Sequence, residues 1–380
     1  MIRNIVGVMD RTIDLFEGQY PVPNGISYNS SVLFDEKIAV MDAVDAHFTG
    51  EWLRNLQTVL AGKRPDYLII SHMEPDHSGG IASCCKLFPE MTLVGTAKAL
   101  AFLDQFTDES LPNERITVAE GRELSLGKCT LRFLTAPMVH WPEVMITYIP
   151  EEKMLFSADA FGCFGFDGAS LVKEDYRRYY TNIVGKYGAQ VQAVLKKAAS
   201  LDIERICPLH GPDLTGERLG EILELYRKWS TWTPEDDGVL VAVTSLHGHT
   251  EEAAHQAYLA LQDAGVPCTF VNLGRQHVST AVSAAFRHSA IFLASVTYDG
   301  ALPQATASFL SVLKAKGLQG RRVQLMENGT WAPMSGKLMR AALEEMKNMT
   351  IAEQTLSLRS MAHPADLEKI RAAVLQLAGR

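Results

Sequence analysis

Hydrophobic and polar positions along this chain follow two different rhythms, and the change between them suggests where it divides. In the later part, apolar, often β-branched runs at 239–245, 268–273, 290–296 and 322–327 read as strands, since short continuous apolar runs suit strands buried on both faces. Between them, 251–265 and 303–316 place apolar residues at helical spacing. Strands alternating with helices of this length predict a parallel sheet covered on both sides. The earlier part is less regular, with strands expected at 38–44, 67–71, 92–95, 131–134, 154–157 and 203–207 and helices over 51–62 and 175–200. A layered α/β sandwich fits that pattern, as other mixed folds also do.

Periodicity stops at Trp229-Ser230-Thr231-Trp232-Thr233-Pro234-Glu235-Asp236-Asp237-Gly238, where turn formers cluster. Domains over 1–236 and 237–380 are therefore expected, and 380 residues suit two cores better than one. A composition 47% hydrophobic and 21% charged argues against disorder. The longest apolar stretches, such as 67–70 and 239–243, fall well short of the roughly 20 residues of a membrane span. The first residues lack the basic, apolar and cleavage regions of a signal peptide, so a cytoplasmic chain with no membrane segment is expected. A net charge of -8 without a basic stripe argues against nucleic acid as a partner. The six cysteines, Cys84, Cys85, Cys129, Cys163, Cys207 and Cys268, form no Cys-x-x-Cys pair, which speaks against a rubredoxin, zinc-ribbon or ferredoxin module. They read as small buried thiols rather than as a redox pair at Cys84-Cys85.

Candidate chemistry gathers just after strand-like runs. His72-Met73-Glu74-Pro75-Asp76-His77 follows 67–71, His140 follows 131–134, Asp159 follows 154–157 and His210 follows 203–207. A lone histidine is usually structural, but four such sites at strand ends can converge on one sheet edge. His72, His140 and His210 with Glu74, Asp76 and Asp159 supply imidazole and carboxylate without thiolate, a set that suits iron or manganese and admits zinc. So many ligands exceed one tetrahedral ion and suit two metals about 3.5–4 Å apart sharing a carboxylate.

A second constellation lies in the later part. Thr244-Ser245-Leu246-His247-Gly248-His249-Thr250-Glu251 joins a strand to a helix, so hydroxyls and backbone N–H groups can surround a phosphate at the helix start, although Ser and Thr also cap helices without any ligand. It lacks Gly-x-Gly-x-x-Gly and the Walker lysine, which argues against a dinucleotide site and an ATPase. Ser295-Val296-Thr297-Tyr298-Asp299-Gly300 and Glu327-Asn328-Gly329-Thr330-Trp331-Ala332-Pro333 each follow a strand, and Tyr298 and Trp331 offer aromatic surface to a flat ring.

The motif His72-x-Glu74-x-Asp76-His77, with Met138-Val139-His140-Trp141-Pro142, Phe156-Ser157-Ala158-Asp159-Ala160-Phe161 and Cys207-Pro208-Leu209-His210-Gly211, resembles the flavodiiron proteins, also called A-type flavoproteins. The likeness spans nearly the whole chain. It implies an αββα metallo-β-lactamase-like sandwich followed by a flavodoxin-like doubly wound sheet. In metallo-β-lactamase hydrolases the position of Glu74 is a second histidine, so Glu74 points to iron. By this resemblance His72, Glu74 and His140 bind one iron, Asp76 and His210 the other, and Asp159 bridges. His77, whose counterpart is turned from the metal in some members, completes the candidate set.

The same resemblance implies FMN, held by Thr244, Ser245, His247, Gly248, His249, Thr250, Ser295, Thr297, Tyr298, Asp299, Gly300, Asn328, Gly329, Thr330 and Trp331. His247 and His249 depart from the usual phosphate-loop residues, and a metal role for them is not expected. The implied reaction is reduction of dioxygen to water, nitric oxide to nitrous oxide, or both. Electrons would come from an external donor, rubredoxin favoured over a flavin reductase or deazaflavin. A head-to-tail homodimer or dimer of dimers would bring FMN of one chain beside the irons of the other. The competing readings are a zinc hydrolase with a flavodoxin-like appendage, and an electron carrier or redox sensor with a vestigial metal site.

Overall fold

A computed structural model describes residues 1–107, 110–166, 168 and 171–380 of the chain. Contacts gather into two units, Met1–Arg227 and Lys228–Arg380. The helix Gly216–Ser230 runs across that division, and a short turn then leads into strand Asp236–Thr244.

The first unit holds two six-stranded sheets. One is ordered Ile2–Ile5, Ser31–Phe34, Ile38–Met41, Tyr67–Ile70, Thr92–Thr96, Arg115–Val118. The other is ordered Glu123–Ser125, Thr130–Thr135, Met145–Ile149, Met154–Phe156, Arg205–Cys207, Leu214–Thr215. One buried cluster draws Met41, Ile69 and Val94 from the first sheet and Leu131, Phe133, Met145 and Phe156 from the second, so the two sheets face each other through it. Burying each such side chain contributes about 1.5–3 kcal/mol.

Helix Thr49–Leu60 is amphipathic, burying Trp52, Leu56 and Leu60 at a spacing of one turn, and ends where Ala61 turns left-handed at φ 49°. Helix Ala97–Phe106 starts where Thr96 accepts a hydrogen bond from the Ala99 N–H. The helix expected over 175–200 is interrupted: Lys173–Tyr179 is α-helical, Tyr180–Val184 winds as a π turn, Gly185–Tyr187 is a tight 3-10 turn, and Gly188–Ala198 resumes the α-helix. All five residues of the π turn, Thr181 and Asn182 included, are buried, so the change of pitch leaves no polar face in the sequence.

The second unit is a parallel sheet ordered Cys268–Asn272, Asp236–Thr244, His288–Val296, Arg322–Asn328, with Thr350–Ile351 and Leu356–Leu358 both pairing on the last. Numbered along the chain this is 2-1-3-4-5, the doubly wound order in which ligands sit beyond the carboxyl ends of the first and third strands. Val239, Val241 and Val243 pack with Ala253, Ala257, Ile370 and Val374 of helices His249–Asp263 and Pro364–Leu377, while the intervening Leu240 and Ala242 are equally buried on the opposite face. Burial on both faces explains why these strands read as continuous apolar runs. Among the described residues, no helix is long and apolar enough to cross a membrane.

Candidate metal centre and cofactor pocket

Each candidate ligand of the first unit follows a buried strand. Strand Tyr67–Ile70 leads to His72, and Glu74 stands at the start of the one-turn helix Pro75–Ser78, which carries Asp76 and His77. Strand Met154–Phe156 leads to Asp159 through Ala158, held at φ 51°. Strand Arg205–Cys207 leads to His210. A non-glycine residue in the left-handed region is costly, and here it fixes the turn that aims the Asp159 carboxylate.

These ends converge in two groups. His72, Glu74, His140 and Asp159 bring ligand atoms within 4.8 Å of one another, and Asp76, His77 and His210 do the same. In the first group His140 Nε2 lies 3.0 Å from both Glu74 Oε2 and Asp159 Oδ2, and His72 Nε2 lies 3.2 Å from Glu74 Oε2. In the second, His77 Nε2 and His210 Nε2 lie 3.4 Å and 3.3 Å from Asp76 Oδ2. Asp159 joins them: Oδ2 faces the first group, while Oδ1 lies 3.2 Å from His77 Nε2 and 3.7 Å from His210 Nε2. The structure thus gathers all seven sequence candidates, His72, Glu74, Asp76, His77, His140, Asp159 and His210.

The donor set fits metal. Both carboxylate oxygens of Asp76 and Oδ1 of Asp159 are buried and make no hydrogen bond. Such atoms are expensive to leave unpaired, whereas donors about 2.1 Å from a common ion naturally stand about 3.0–3.4 Å apart. Charge tells the same story. Burial works to lower His140, but hydrogen bonds to Asp159 and Glu74 hold it up at about 9. Burial would likewise lower His72 and His210, yet Asp159 and Glu143 raise the former, and Asp76 and Asp159 the latter. Burial would raise Asp159 and Glu74, and the facing imidazoles instead hold both low. Clustered carboxylates and imidazoles that stabilise each other's charge in a buried site are what a cation replaces.

Three features were not anticipated from the sequence. Glu143, buried, takes His72 Nδ1 at 2.7 Å and the Met73 N–H at 3.0 Å on one oxygen, which fixes the ring and leaves Nε2 for the centre. Phe16 and Tyr179 pack against the His210 ring at centroid distances of 5.3 and 5.7 Å, and the Tyr179 hydroxyl is buried without a hydrogen-bond partner. Glu17, at φ 52° in the turn joining Leu15–Phe16 to Tyr20–Pro21, is pushed up to about 7 by burial and by the Glu74 carboxylate.

The second unit carries a cavity of about 530 Å³ at the switch point. Of the sequence candidates, Ser245, His247, His249, Thr250, Thr297, Asp299, Gly300, Asn328, Gly329, Thr330 and Trp331 line it. Leu246, Val296, Ala332, Met334 and Ser360 join them; their backbone-directed or apolar contacts leave no motif. Thr244 and Ser295 point elsewhere: both hydroxyls hydrogen-bond Thr306 Oγ1, at 2.8 and 3.0 Å, and are buried. Gly248 and Tyr298 lie on the same loops outside the lining, Gly248 as the φ 95° turn before helix His249–Asp263 and Tyr298 pairing its backbone with Ala301. The cavity suits FMN: a helix start with hydroxyls for a phosphate, and loops rich in glycine and apolar atoms for a flat ring.

Comparison with known proteins agrees with this geometry. Residues 26–211 match the family described as "ODP family beta lactamase". Diflavin flavoprotein A 1 of Synechocystis sp. is 34% identical over 282 residues, 71% of this chain and 49% of that protein, so the chain spans about half its length. Nitric oxide reductase of Moorella thermoacetica is 27% identical over 96% of this chain and 93% of its own. The solved structure of rubredoxin oxygen:oxidoreductase from Desulfovibrio gigas superposes with a TM-score of 0.89 at 25% identity, covering 99% of this chain and 96% of that one. With a metallo-β-lactamase-like sandwich ending in a carboxylate-rich candidate two-metal site and a flavodoxin-like sheet ending in a flavin-sized cavity, the chain belongs to the flavodiiron protein family, whose cofactors are FMN and a diiron centre.

Proposed function

We propose that this chain reduces dioxygen to water, nitric oxide to nitrous oxide, or both, with electrons passing from a rubredoxin-type donor through FMN to two irons. The observation that carries the reading is Asp159, whose two oxygens face separate groups of buried donors. His72, Glu74 and His140 would hold one iron, and Asp76, His77 and His210 the other. Two irons supply paired one-electron chemistry on a diatomic oxidant, and a flavin supplies the electrons one or two at a time.

The protein's own part is placement. Glu143 orients His72, and the Ser27 carbonyl, 2.7 Å from His210 Nδ1, orients His210. Phe16, Tyr28 and Tyr179 wall the His210 side with aromatic rings, limiting water. Support for the two gases comes from the Moorella relative, named a nitric oxide reductase, and the Desulfovibrio structure, named for oxygen and rubredoxin. The working assembly is a head-to-tail homodimer or dimer of dimers. Glu74 disfavours the zinc hydrolase, because a carboxylate stands where such enzymes carry a second histidine.

The test is elemental and flavin analysis of protein produced with ample iron, followed by anaerobic mixing of the reduced protein with each gas. About two irons and about one FMN per chain, with rapid oxidation by at least one gas, is the expected result. Zinc retained in iron-rich medium, with no flavin, would overturn it.

A further inference from the structure

Among the described residues lining the cavity of the second unit, His247 and His249 are the only basic side chains. Both are exposed, and they flank Gly248, whose φ of 95° makes the turn that starts helix His249–Asp263 and whose N–H donates to Ser245 Oγ at 3.1 Å. Backbone N–H groups and the helix dipole attract a phosphate there, but they carry no full charge. Full positive charge can be added by these two imidazoles, the side-chain type whose charge changes in the physiological range.

We propose that His247 and His249 bind the flavin 5′-phosphate as imidazolium ions, so that the chain holds FMN tightly in mildly acidic solution and loosens it as pH rises. The inference rests on the FMN reading of this cavity. A phosphate favours the protonated ring, so binding and protonation of these rings support each other. The extra affinity is present where the rings carry a proton and is lost as pH rises and they shed it.

The charged groups nearby are mostly carboxylates and strong bases. Glu251 and Glu252 lie on the same helix, Glu251 accepting a hydrogen bond from Asn272 Nδ2 at 2.7 Å. Asp299 lines the cavity from the loop after His288–Val296, and Glu327 accepts the Gly336 N–H beside Lys337 of helix Ser335–Glu344. Arg359 reaches the Thr330 carbonyl at 3.4 Å, and Asp366 caps the Pro364–Leu377 helix at His363, a histidine outside the cavity lining. Carboxylates, lysine and arginine keep their charge from pH 6.5 to 8.5, and His255 on the same helix and His363 lie outside the lining, so among the described lining residues the imidazoles that titrate are His247 and His249.

Full-length protein freed of flavin is titrated with FMN and with riboflavin at pH 6.5, 7.5 and 8.5, following flavin fluorescence. The FMN phosphate is largely dianionic throughout, its second pKa being about 6. The expected result is an FMN Kd that rises about tenfold across the series while riboflavin stays level. H247Q/H249Q should bind FMN at every pH as weakly as the unaltered chain does at pH 8.5. H247K/H249K should bind it tightly without the slope. A level FMN Kd, a slope shared by riboflavin, or a slope surviving in H247Q/H249Q overturns the inference. Failure of FMN to bind at any pH would instead overturn the FMN reading beneath it.

Discussion

His77 Nε2 and His210 Nε2 face each other at 3.0 Å. Because His210 Nδ1 lies 2.7 Å from the Ser27 carbonyl oxygen, it carries the ring proton and Nε2 presents a lone pair. His77 turns its own Nε2 to the same point, with Asp76 and Asp159 oxygens alongside. A cation among them satisfies all four groups at once. His77→Ala should therefore lower the iron content from about two per chain to about one while FMN content holds. Elemental analysis checks this, and a full iron complement in the variant would remove His77 from the ligand set.

Glu143 makes no ligand contact yet determines how His72 presents its nitrogen, through the 2.7 Å bond to Nδ1. Glu143→Gln keeps the shape but weakens the acceptor, and metal affinity should fall about 10–100-fold, the usual cost of losing such an orienting partner. Competition with a chelator measures it. Affinity equal to that of the unaltered chain would show that His72 is positioned by packing alone.

The convergence of the candidate ligands was legible because their chemistry is compressed: His72, Glu74, Asp76 and His77 fall within six positions, and His140, Asp159 and His210 each follow a strand-like run. Glu143 was not, since a lone glutamate acquires meaning only once folding brings it under His72. Phe16 and Glu17 sit in a hairpin of two-residue strands, too short for any period. In the second unit the strand–helix alternation shows plainly in the sequence, but side-chain direction does not. Thr244 and Ser295 stand at the ends of strands Asp236–Thr244 and His288–Val296, beside the cavity loops, and yet spend their hydroxyls on Thr306.

Asp236 ties the base of the second unit together. Its carboxylate takes His288 Nδ1 at 2.6 Å, Arg287 Nε at 3.0 Å and the Gly238 N–H at 3.0 Å. Burial would raise it, but His288 and Arg287 hold it down at about 2. A depressed carboxylate stabilises the fold above its unfolded value near 3.9, and the contribution fades as pH falls from there through about 2. The gap in urea midpoint between the unaltered chain and Asp236→Asn should be equal at pH 7 and pH 5 and about halved at pH 3. A gap that does not change with pH would mean that the aspartate acts by shape rather than charge.

Arg321 is buried, has no acidic partner among the described residues, and is pushed down to about 10 by that burial. It donates instead to four carbonyls: Ala285 at 3.0 Å, Phe286 at 3.0 Å, Trp232 at 2.7 Å and Gln319 at 2.9 Å. Two of these belong to the last turn of helix Val278–Arg287, whose final carbonyls lack partners within the helix. Arg321→Lys keeps the charge but not the planar fork, and should lower stability by about 2–4 kcal/mol in urea unfolding. A loss below about 1 kcal/mol would show that a single ammonium can satisfy the site.

Trp331 lines the cavity of the second unit while 84% exposed, an arrangement that water opposes and a ligand would repair. It lies on the loop after strand Arg322–Asn328, where neighbouring Thr330 is tied to Ser360 Oγ at 2.6 Å, so the loop is anchored while the indole is not packed. A flat ring laid against the indole would gain about 0.5–1.5 kcal/mol beyond the area it buries. Trp331→Ala should thus raise the Kd for FMN and riboflavin alike by about 3–10-fold, leaving the urea midpoint of the flavin-free chain unchanged. The equal effect on both flavins separates this contact from the phosphate end, where only FMN responds. If the variant bound both flavins as tightly as the unaltered chain, the indole would be facing something other than the flavin, and its exposure would need another explanation.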